Sequence, residues 1–313
     1  MASTVLLAPE ASLAHRTPHG HPERTERFEA IKRALKESGL AGRMATAPLS
    51  EVGPEDLKLC HSPEYIRLVE REIGSGARTL STGDTHVGAG SLGAARAAAG
   101  AVVAAVDAVV DGPATQAFCA LRPPGHHARP NQGMGFCIFN NVAVGARHAV
   151  RRRGLERILI ADWDVHHGNG TQDIFYEDPA VLFFSTHQSP WYPGTGMASE
   201  TGAGAGRNTT INCPFPAQSG REEILGVFRD HLIPAADAFR PDLVMISAGF
   251  DSRLGDPLGQ FRLADSDFSE MTSLLQEVAD KHSQGRLVSV LEGGYSLSGL
   301  VAAVTAHVEA LLA

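Results

Sequence analysis

The chain has 313 residues and a formal net charge of −8, with 43% hydrophobic, 20% charged and 6% aromatic residues. This balance is typical of a globular protein and excludes an intrinsically disordered one. The excess of acidic residues disfavours direct binding to nucleic acid, because a phosphate backbone would be repelled. The four cysteines form no C-x-x-C pair, so the sequence predicts neither a disulfide framework nor a thiolate metal site.

The beginning of the sequence has no features of a targeting segment. Residues 1–16 carry no basic region and only a short apolar run. No stretch of roughly 18 apolar residues, the length needed to span a bilayer as a helix, occurs in the chain. We therefore expect a cytoplasmic protein that does not act at a membrane.

Short apolar runs alternate with longer amphipathic segments along the chain. The predicted strands are residues 4–7, 117–121, 157–161, 181–185, 210–213, 243–247 and 287–291. The predicted helices are residues 23–38, 63–73, 90–110, 140–153, 222–239, 267–282 and 298–312. This alternation predicts a mostly parallel sheet with helices on both faces. No linker-like stretch divides the sequence, which favours a single domain over residues 1–313.

Polar side chains follow five of these predicted strands. The segments concerned are residues 122–127, 162–170, 186–187, 248–251 and 292–295. In parallel α/β sheets, ligands bind beyond the carboxyl ends of the strands, so these acids, imidazoles and a phenol should meet at one edge of the sheet. The sequence therefore predicts an active site there.

Three of these residues form a candidate metal site. Asp164 and His166 are two residues apart, and in an extended segment such residues point to the same side. A catalytic zinc ion takes three protein ligands and keeps one position open, and Asp251, after another strand, is the best third ligand. One imidazole and two carboxylates form an oxygen-rich set that suits Zn²⁺ and leaves Fe²⁺, Mn²⁺ and Co²⁺ open.

The charge of that ligand set makes a separate general base necessary. Two carboxylates neutralise the ion, so it acidifies a bound water less than it would under three neutral imidazoles. His126 and His127 are the candidate bases, with Asp162 and Asn169 in the right segment to orient their rings. Tyr295, which follows two glycines, is the candidate donor to an oxyanion.

Six sequence motifs occur in an order typical of one known family. They are RPPGHHA at 122–128, GFCIFNN at 135–141, DWDVHHGNGT at 162–171, YPGTG at 192–196, AGFD at 248–251 with GDP at 255–257, and LEGGY at 291–295. With them the chain resembles a zinc-dependent histone deacetylase of the class II-like bacterial group, which includes the acetylpolyamine amidohydrolases. The resemblance implies the α/β arginase/deacetylase fold, with a central, mostly parallel sheet of about eight strands flanked by helices. That is one strand more than the apolar runs predict.

The resemblance also implies an activity and a role for each reactive residue. It places a single Zn²⁺ at Asp164, His166 and Asp251. The chain would be a hydrolase that removes acetyl groups from the amine of an acetyl-lysine side chain or a related acyl-amine. His127 would act as base towards the attacking water and then as acid towards the leaving amine, while Tyr295 donates to the oxyanion.

Further residues receive roles from the same resemblance. His126 is implied to be a neighbouring electrostatic and hydrogen-bonding group oriented by Asp162, and Asn169 to orient His127. The residues implied to line a narrow tunnel for the acyl-amine chain are Asp84, Gly135, Phe136, Tyr192 and Leu258. A potassium ion beside the zinc is implied at Asp162, Asp164, His166, Ser185 and Thr186.

Two positions indicate which branch of the family the chain resembles. Asn169 stands where class I members carry aspartate, so the His127 imidazolium would have a neutral partner and be less stabilised. Tyr295 is kept where some weakly active relatives have histidine, which predicts full deacetylase chemistry.

The substrate and the assembly are less constrained by the sequence. The resemblance implies that acetylpolyamine enzymes narrow the site with loop insertions and dimerisation, whereas the loop at residues 15–22 is short. This favours an acetyl-lysine protein or a small acyl-amide over an acetylated polyamine, which remains the alternative. A non-catalytic module that binds acetyl-lysine is a further alternative, but the intact ligand set, His127 and Tyr295 argue against it. A homo-oligomer is left open.

Overall fold

The computed structural model describes residues 4–313 and contains one eight-stranded sheet. The strands are β1 (Thr4–Leu7), β2 (Ala45–Thr46), β3 (Gln116–Cys119), β4 (Ile158–Asp162), β5 (Val181–Gln188), β6 (Thr210–Phe215), β7 (Leu243–Ala248) and β8 (Leu287–Leu291). They lie in the order β2-β1-β3-β8-β7-β4-β5-β6, and all neighbouring pairs are parallel. The predicted α/β architecture is confirmed.

Helices cover both faces of this sheet. They are α1 (Thr25–Glu37), α2 (Pro54–Leu57), α3 (Pro63–Gly74), α4 (Ser91–Val110), α5 (Asn141–Arg153), α6 (Asn169–Phe175), α7 (Arg221–Val227), α8 (Ile233–Phe239), α9 (Asp265–His282) and α10 (Leu297–Leu311). Side chains alternate across a strand, so β4 sends Ile158 and Ile160 into the core under α3 to α5. The same strand sends Leu159 and Ala161 into the core under α1 and α7 to α10.

The register of the central strands brings their carboxyl ends together. Asp162 at the end of β4 lies opposite Ser185 of β5 and Ser247 of β7. The five polar segments predicted from the sequence lie at or after the carboxyl ends of β3, β8, β7, β4 and β5, which are consecutive in the sheet. Residues 186–187 belong to β5 itself, because that strand extends to Gln188. The parallel register therefore delivers all five segments to one edge.

Three features of the fold differ from the sequence-based prediction. Strand β2 is only two residues long and both are exposed, so it has no apolar run to reveal it. Helices α2 and α6 were also not predicted. The helix predicted over 222–239 is divided by a π-helical turn at Phe228–Leu232. Pro234 follows that turn, and because proline lacks an N–H it cannot make the regular helical hydrogen bond there.

Within residues 4–313, helix α4 is the one helix long and apolar enough to cross a membrane by length and composition. In the fold, 61% of its most apolar window is buried inside the molecule. Ala98, Ala101, Val102 and Ala105 are among its fully buried residues. The helix packs in the core beneath the sheet.

Candidate active site

Three side chains that suit a divalent metal ion meet beyond β4 and β7. The ligand atoms of Asp164, His166 and Asp251 all lie within 4.8 Å of one another, and all three residues are buried. His166 Nδ1 lies 3.0 Å from Asp164 Oδ1 and 3.2 Å from Asp251 Oδ2. Asp251 Oδ2 is buried without a hydrogen-bond partner. Burial, reinforced by the Asp164 charge, raises the pKa of Asp251 to about 7.

This donor set fits Zn²⁺. It supplies three protein ligands, and a buried carboxylate oxygen without a hydrogen-bond partner is expected where a metal ion binds. Backbone donors orient both carboxylates: Gly293 N–H donates to Asp164 Oδ2 at 2.9 Å, and Val165 N–H donates to Asp251 Oδ1 at 3.0 Å. Such outer hydrogen bonds fix the position of metal ligands.

The two adjacent histidines have different partners. His126 Nδ1 lies 2.9 Å from the carboxylate of Asp162, and His127 Nδ1 lies 2.8 Å from the amide oxygen of Asn169. Burial would lower the pKa of His126, but the charges of Asp162 and Asp164 outweigh it and raise that pKa to about 10. Burial, reinforced by His126, lowers the pKa of His127 well below its usual value. His127 is therefore neutral at pH 7 and has an Nε2 lone pair available to accept a proton.

Tyr295 lines the same cavity as His166 of the metal-ligand group and carries a hydroxyl that can donate a hydrogen bond. Its side chain is 8% exposed, and burial raises its pKa well above the usual value, so the hydroxyl keeps its proton. The guanidinium of Arg27 lies 4.9 Å from the centre of the Tyr295 ring and contacts its face. Gly294, with φ of +115°, allows the tight backbone path that precedes the tyrosine.

A cavity of about 230 Å³ connects these groups to the surface. The residues that line it are Asp84, His127, Gly135, Phe136, His166, Trp191, Tyr192, Leu258 and Tyr295. The structure thus places all five residues that were expected to line a tunnel at one cavity. Trp191 was missed as a lining residue, although its position next to Tyr192 in an aromatic pair within a glycine-rich loop was a usable signal.

Asp84 joins two walls of this cavity. Its Oδ1 accepts the N–H of Gly135 at 2.7 Å, and its carboxylate also interacts with the Tyr192 hydroxyl. Burial, reinforced by Asp84, raises the pKa of Tyr192. Phe136, next to Gly135, has φ of +68°, a left-handed conformation that a bulky residue rarely adopts. The wall of the cavity therefore has a specific, locally strained backbone.

Of the residues expected to bind potassium, Asp164 and His166 also belong to the metal-ligand group, and Asp162, Ser185 and Thr186 lie at the ends of β4 and β5. Asp162 and Ser185 are register partners at the ends of β4 and β5, and Thr186 follows in β5. All three are buried. The Ser185 hydroxyl lies 2.9 Å from His187 Nδ1. The potassium site remains a prediction.

Two buried carboxylates received no role from the sequence but hold the site in place. Glu292 Oε2 accepts the N–H groups of Gly125 at 2.7 Å and His126 at 3.1 Å, so it fixes the segment that carries both histidines. Asp256 accepts the N–H of Tyr295 at 2.6 Å. Both appear in the sequence motifs, but hydrogen bonds to backbone groups far away along the chain leave no spacing pattern.

Comparison with known proteins identifies the family. The model of the histone deacetylase domain matches residues 21–311. A protein of Archaeoglobus fulgidus described as a probable deacetylase is 41% identical over 292 residues, covering 93% of this chain and 80% of that protein. The histone deacetylase-like amidohydrolase of Pseudomonas aeruginosa is 39% identical over 278 residues, covering 88% of this chain and 73% of that protein.

Two further comparisons concern the substrate range and the fold. The human polyamine deacetylase HDAC10 is 40% identical over 306 residues, covering 94% of this chain and 45% of that protein. The crystal structure of the HDA15 HD domain superimposes with a TM-score of 0.93 at 36% identity, covering 99% of this chain and 88% of that one. The predicted arginase/deacetylase fold is thereby confirmed. The chain belongs to the histone deacetylase family, whose members are deacetylases.

Proposed function

We propose that the chain is a zinc-dependent amidohydrolase that removes acetyl groups from the side-chain amine of acetyl-lysine in peptides or proteins. The observation that carries this proposal is the convergence of three elements on one narrow cavity. Three residues that line the cavity supply them: His166 belongs to the metal-ligand group, His127 is a neutral base and Tyr295 is a protonated donor. Amide hydrolysis by an attacking water requires all three functions.

The chain's own residues account for the proton transfers. When bound, Zn²⁺ would polarise the acetyl carbonyl and favour deprotonation of the attacking water. His127 accepts the water proton at Nε2, and Asn169 holds its Nδ1 side. Tyr295 donates from its hydroxyl to the oxyanion that develops on the former carbonyl oxygen. His127 then returns the proton to the nitrogen of the leaving amine, so that acetate and a free amine are released.

The character of the cavity supports acetyl-lysine as the substrate. Phe136, Tyr192 and Leu258 give it apolar and aromatic walls, which suit the four methylene groups of a lysine side chain. Among the residues that line it, Asp84 is the one carboxylate outside the metal-ligand group, and it already accepts from Gly135. A second ammonium group would therefore find one carboxylate in the lining, and Gly135 already donates to that carboxylate.

Hydrolysis of an acetylated polyamine is the second candidate function. It is supported by the 40% identity to a protein named polyamine deacetylase HDAC10. The exposed ring of Trp191, which lines the same cavity as Asp84, would also attract a cation. The two candidates share the chemical step and differ only in what lies outside the cavity.

The test is acetate release by Zn²⁺-loaded protein from an acetyl-lysine peptide and from an N-acetylated polyamine, assayed in parallel at matched concentrations. We expect a kcat/KM at least tenfold higher for the peptide. A reversed preference would support polyamine hydrolysis instead. No release from either substrate above that of the Tyr295→Phe variant would contradict the proposed function.

A further inference from the structure

We propose that Asp256 is a positioning residue that couples the mouth of the cavity, where the exposed Trp191 and Leu258 line it, to the oxyanion donor. Its buried carboxylate holds the backbone of Leu258 with one oxygen and that of Tyr295 with the other. The inference rests on the proposed function, because it assigns Asp256 an effect on turnover that passes through the Tyr295 hydroxyl. Asp256 itself does not line the cavity and is not one of the three metal-ligand residues, although its charge acts on Asp251.

On the inner side, Asp256 fixes the start of helix α10. Its Oδ2 accepts the N–H of Tyr295 at 2.6 Å and the N–H of Ser296 at 3.0 Å. Ser296 is the N-cap residue of α10, and its hydroxyl in turn accepts from Gly299. The backbone that carries the tyrosine is therefore anchored to a loop that comes from a different strand.

On the outer side, the same carboxylate fixes the mouth. Asp256 Oδ1 accepts the N–H of Leu258 at 2.9 Å. The carbonyl of Leu258 accepts the indole N–H of Trp191, also at 2.9 Å. A continuous series of hydrogen bonds thus runs from the exposed Trp191 through Leu258 and Asp256 to Tyr295. We call these four residues the mouth brace.

The chemistry of Asp256 requires a carboxylate rather than an amide. Each of its two oxygens accepts from a backbone N–H, and the residue is only 8% exposed. An asparagine of the same shape would turn its NH₂ group towards one of those donors and leave that N–H unsatisfied. The matching carboxylate, Glu292, uses only one oxygen in this way, because its other oxygen faces the Ser247 hydroxyl.

Small displacements at this position should be costly for catalysis. A shift of about 1 Å in a group that stabilises the transition state can lower the rate on the order of 100-fold. The Tyr295 hydroxyl is such a group. The backbone N–H of Tyr295 donates to Asp256, so Asp256 helps to set the position of the hydroxyl. A substrate that contacts Leu258 at the mouth would also affect the position of Tyr295, because the backbones of both residues donate to Asp256.

The experiment compares Asp256→Asn with Asp265→Asn in the full-length, Zn²⁺-loaded protein. Asp265→Asn is the matched control, because it is the same substitution at a nearby residue. The Asp265 carboxylate pairs with the Arg253 guanidinium, at 2.6 Å and 3.1 Å, and not with a backbone N–H near Tyr295. We expect Asp256→Asn to lower kcat by roughly 10- to 100-fold, with a smaller change in KM, and Asp265→Asn to stay within twofold of the wild type. In a Tyr295→Phe background, Asp256→Asn should add less than twofold.

Amide hydrogen exchange provides a readout that does not depend on activity. Asp256→Asn should accelerate amide exchange in peptides covering 256–258 and 293–297. The exchange rates of the other segments should stay as in the wild type. Trp191→Phe, an exposed substitution that removes the donor to Leu258, should accelerate exchange at 256–258 and tests the brace even if Asp256→Asn folds poorly.

Two results would overturn the inference. One is unchanged exchange at 293–297 in Asp256→Asn. The other is an equal fold-loss of turnover from Asp256→Asn in the wild-type and Tyr295→Phe backgrounds, because the loss would then not pass through the hydroxyl. Inactivity of the wild type would count against the proposed function instead, and the exchange data would still decide whether the brace exists.

Discussion

His126 and His127 are adjacent in the sequence and their ring centres lie 4.0 Å apart, yet their surroundings shift their pKa values in opposite directions. Burial would lower the pKa of His126, but the carboxylates of Asp162 and Asp164 raise it to about 10. His127, paired with the neutral amide of Asn169, has a pKa well below the usual value. A charged His126 also suppresses protonation of His127, which keeps the base available.

At the residue scale, Tyr295→Phe tests the oxyanion donor. The substitution removes a hydroxyl that acts in the transition state and leaves the ring in place. We expect kcat to fall on the order of 100-fold or more, about 3 kcal/mol, with KM nearly unchanged. The measurement is steady-state acetate release, with Tyr176→Phe, outside the cavity, as the control. Near-normal turnover in Tyr295→Phe would remove the tyrosine from the mechanism.

The segment after β8 depends on the absence of a side chain at Gly293. A Cβ atom built there would overlap Asp251 Oδ2 and lie 2.5 Å from Asp164 Oδ2, so only glycine fits against the metal-ligand carboxylates. Its N–H simultaneously donates to Asp164. The close approach of β8 to the ends of β4 and β7 is therefore part of the metal-ligand site.

At the element scale, Gly293→Ala should damage the metal site more than the fold. The new methyl group must push Asp164 and Asp251 apart, and we expect at least a tenfold weaker affinity for Zn²⁺. The measurement is competition with a chelator of known affinity. Gly226→Ala, where a Cβ meets nothing within 4 Å, is the control and should bind Zn²⁺ like the wild type. Equal affinities in the two variants would contradict the assigned geometry.

The strands and their functional ends were predictable because burial imposes apolar runs on the central strands. Strand β2 was not, since it is short and exposed, and the π-helical turn before Pro234 has no apolar signal of its own. Asp164, His166 and Asp251 were found by spacing and strand position. Asp256 and Glu292 were not assigned, because their partners are backbone N–H groups 39 and 167 residues away, respectively.

Across the whole molecule, a buried ion network ties the N-terminal segment to the active-site edge. Glu23 is fully buried and forms a bidentate ion pair with Arg122, which follows β3. Arg27 also contacts Glu23 and donates to the carbonyls of Glu292 and Gly294, each at 2.6 Å. The network thus joins α1, the end of β3 and the glycine segment before Tyr295.

At the scale of the whole molecule, Glu23→Gln should be strongly destabilising at neutral pH. It leaves two buried guanidinium groups without their carboxylate, which costs roughly 3–5 kcal/mol. Burial opposes ionisation of Glu23, but Arg122 outweighs it and holds the pKa well below the usual value. The measurement is denaturant unfolding at pH 7 and at roughly pH 2.5, below the unfolded pKa of Glu. The exposed Glu10→Gln is the control, expected to change stability by less than about 1 kcal/mol.

The pH dependence of that difference has a defined sign. Because the folded-state pKa is depressed, the contribution of Glu23 is complete above its unfolded pKa of about 4.3 and is lost as the pH falls towards the folded value. The gap in unfolding free energy between wild type and Glu23→Gln should therefore be largest near neutral pH and shrink below about pH 4. A gap that widens in acid would contradict the ion-pair account.

The central claim is that Asp164, His166 and Asp251 hold a catalytic Zn²⁺, and the most direct test follows metal content and acetate release on the same samples. We predict one Zn²⁺ bound per wild-type chain, loss of acetyl-lysine hydrolysis when a chelator removes it, and recovery on adding Zn²⁺ back. Asp251→Asn should bind Zn²⁺ weakly and remain inactive under the same conditions. Undiminished acetate release from fully metal-free wild-type protein would contradict the account.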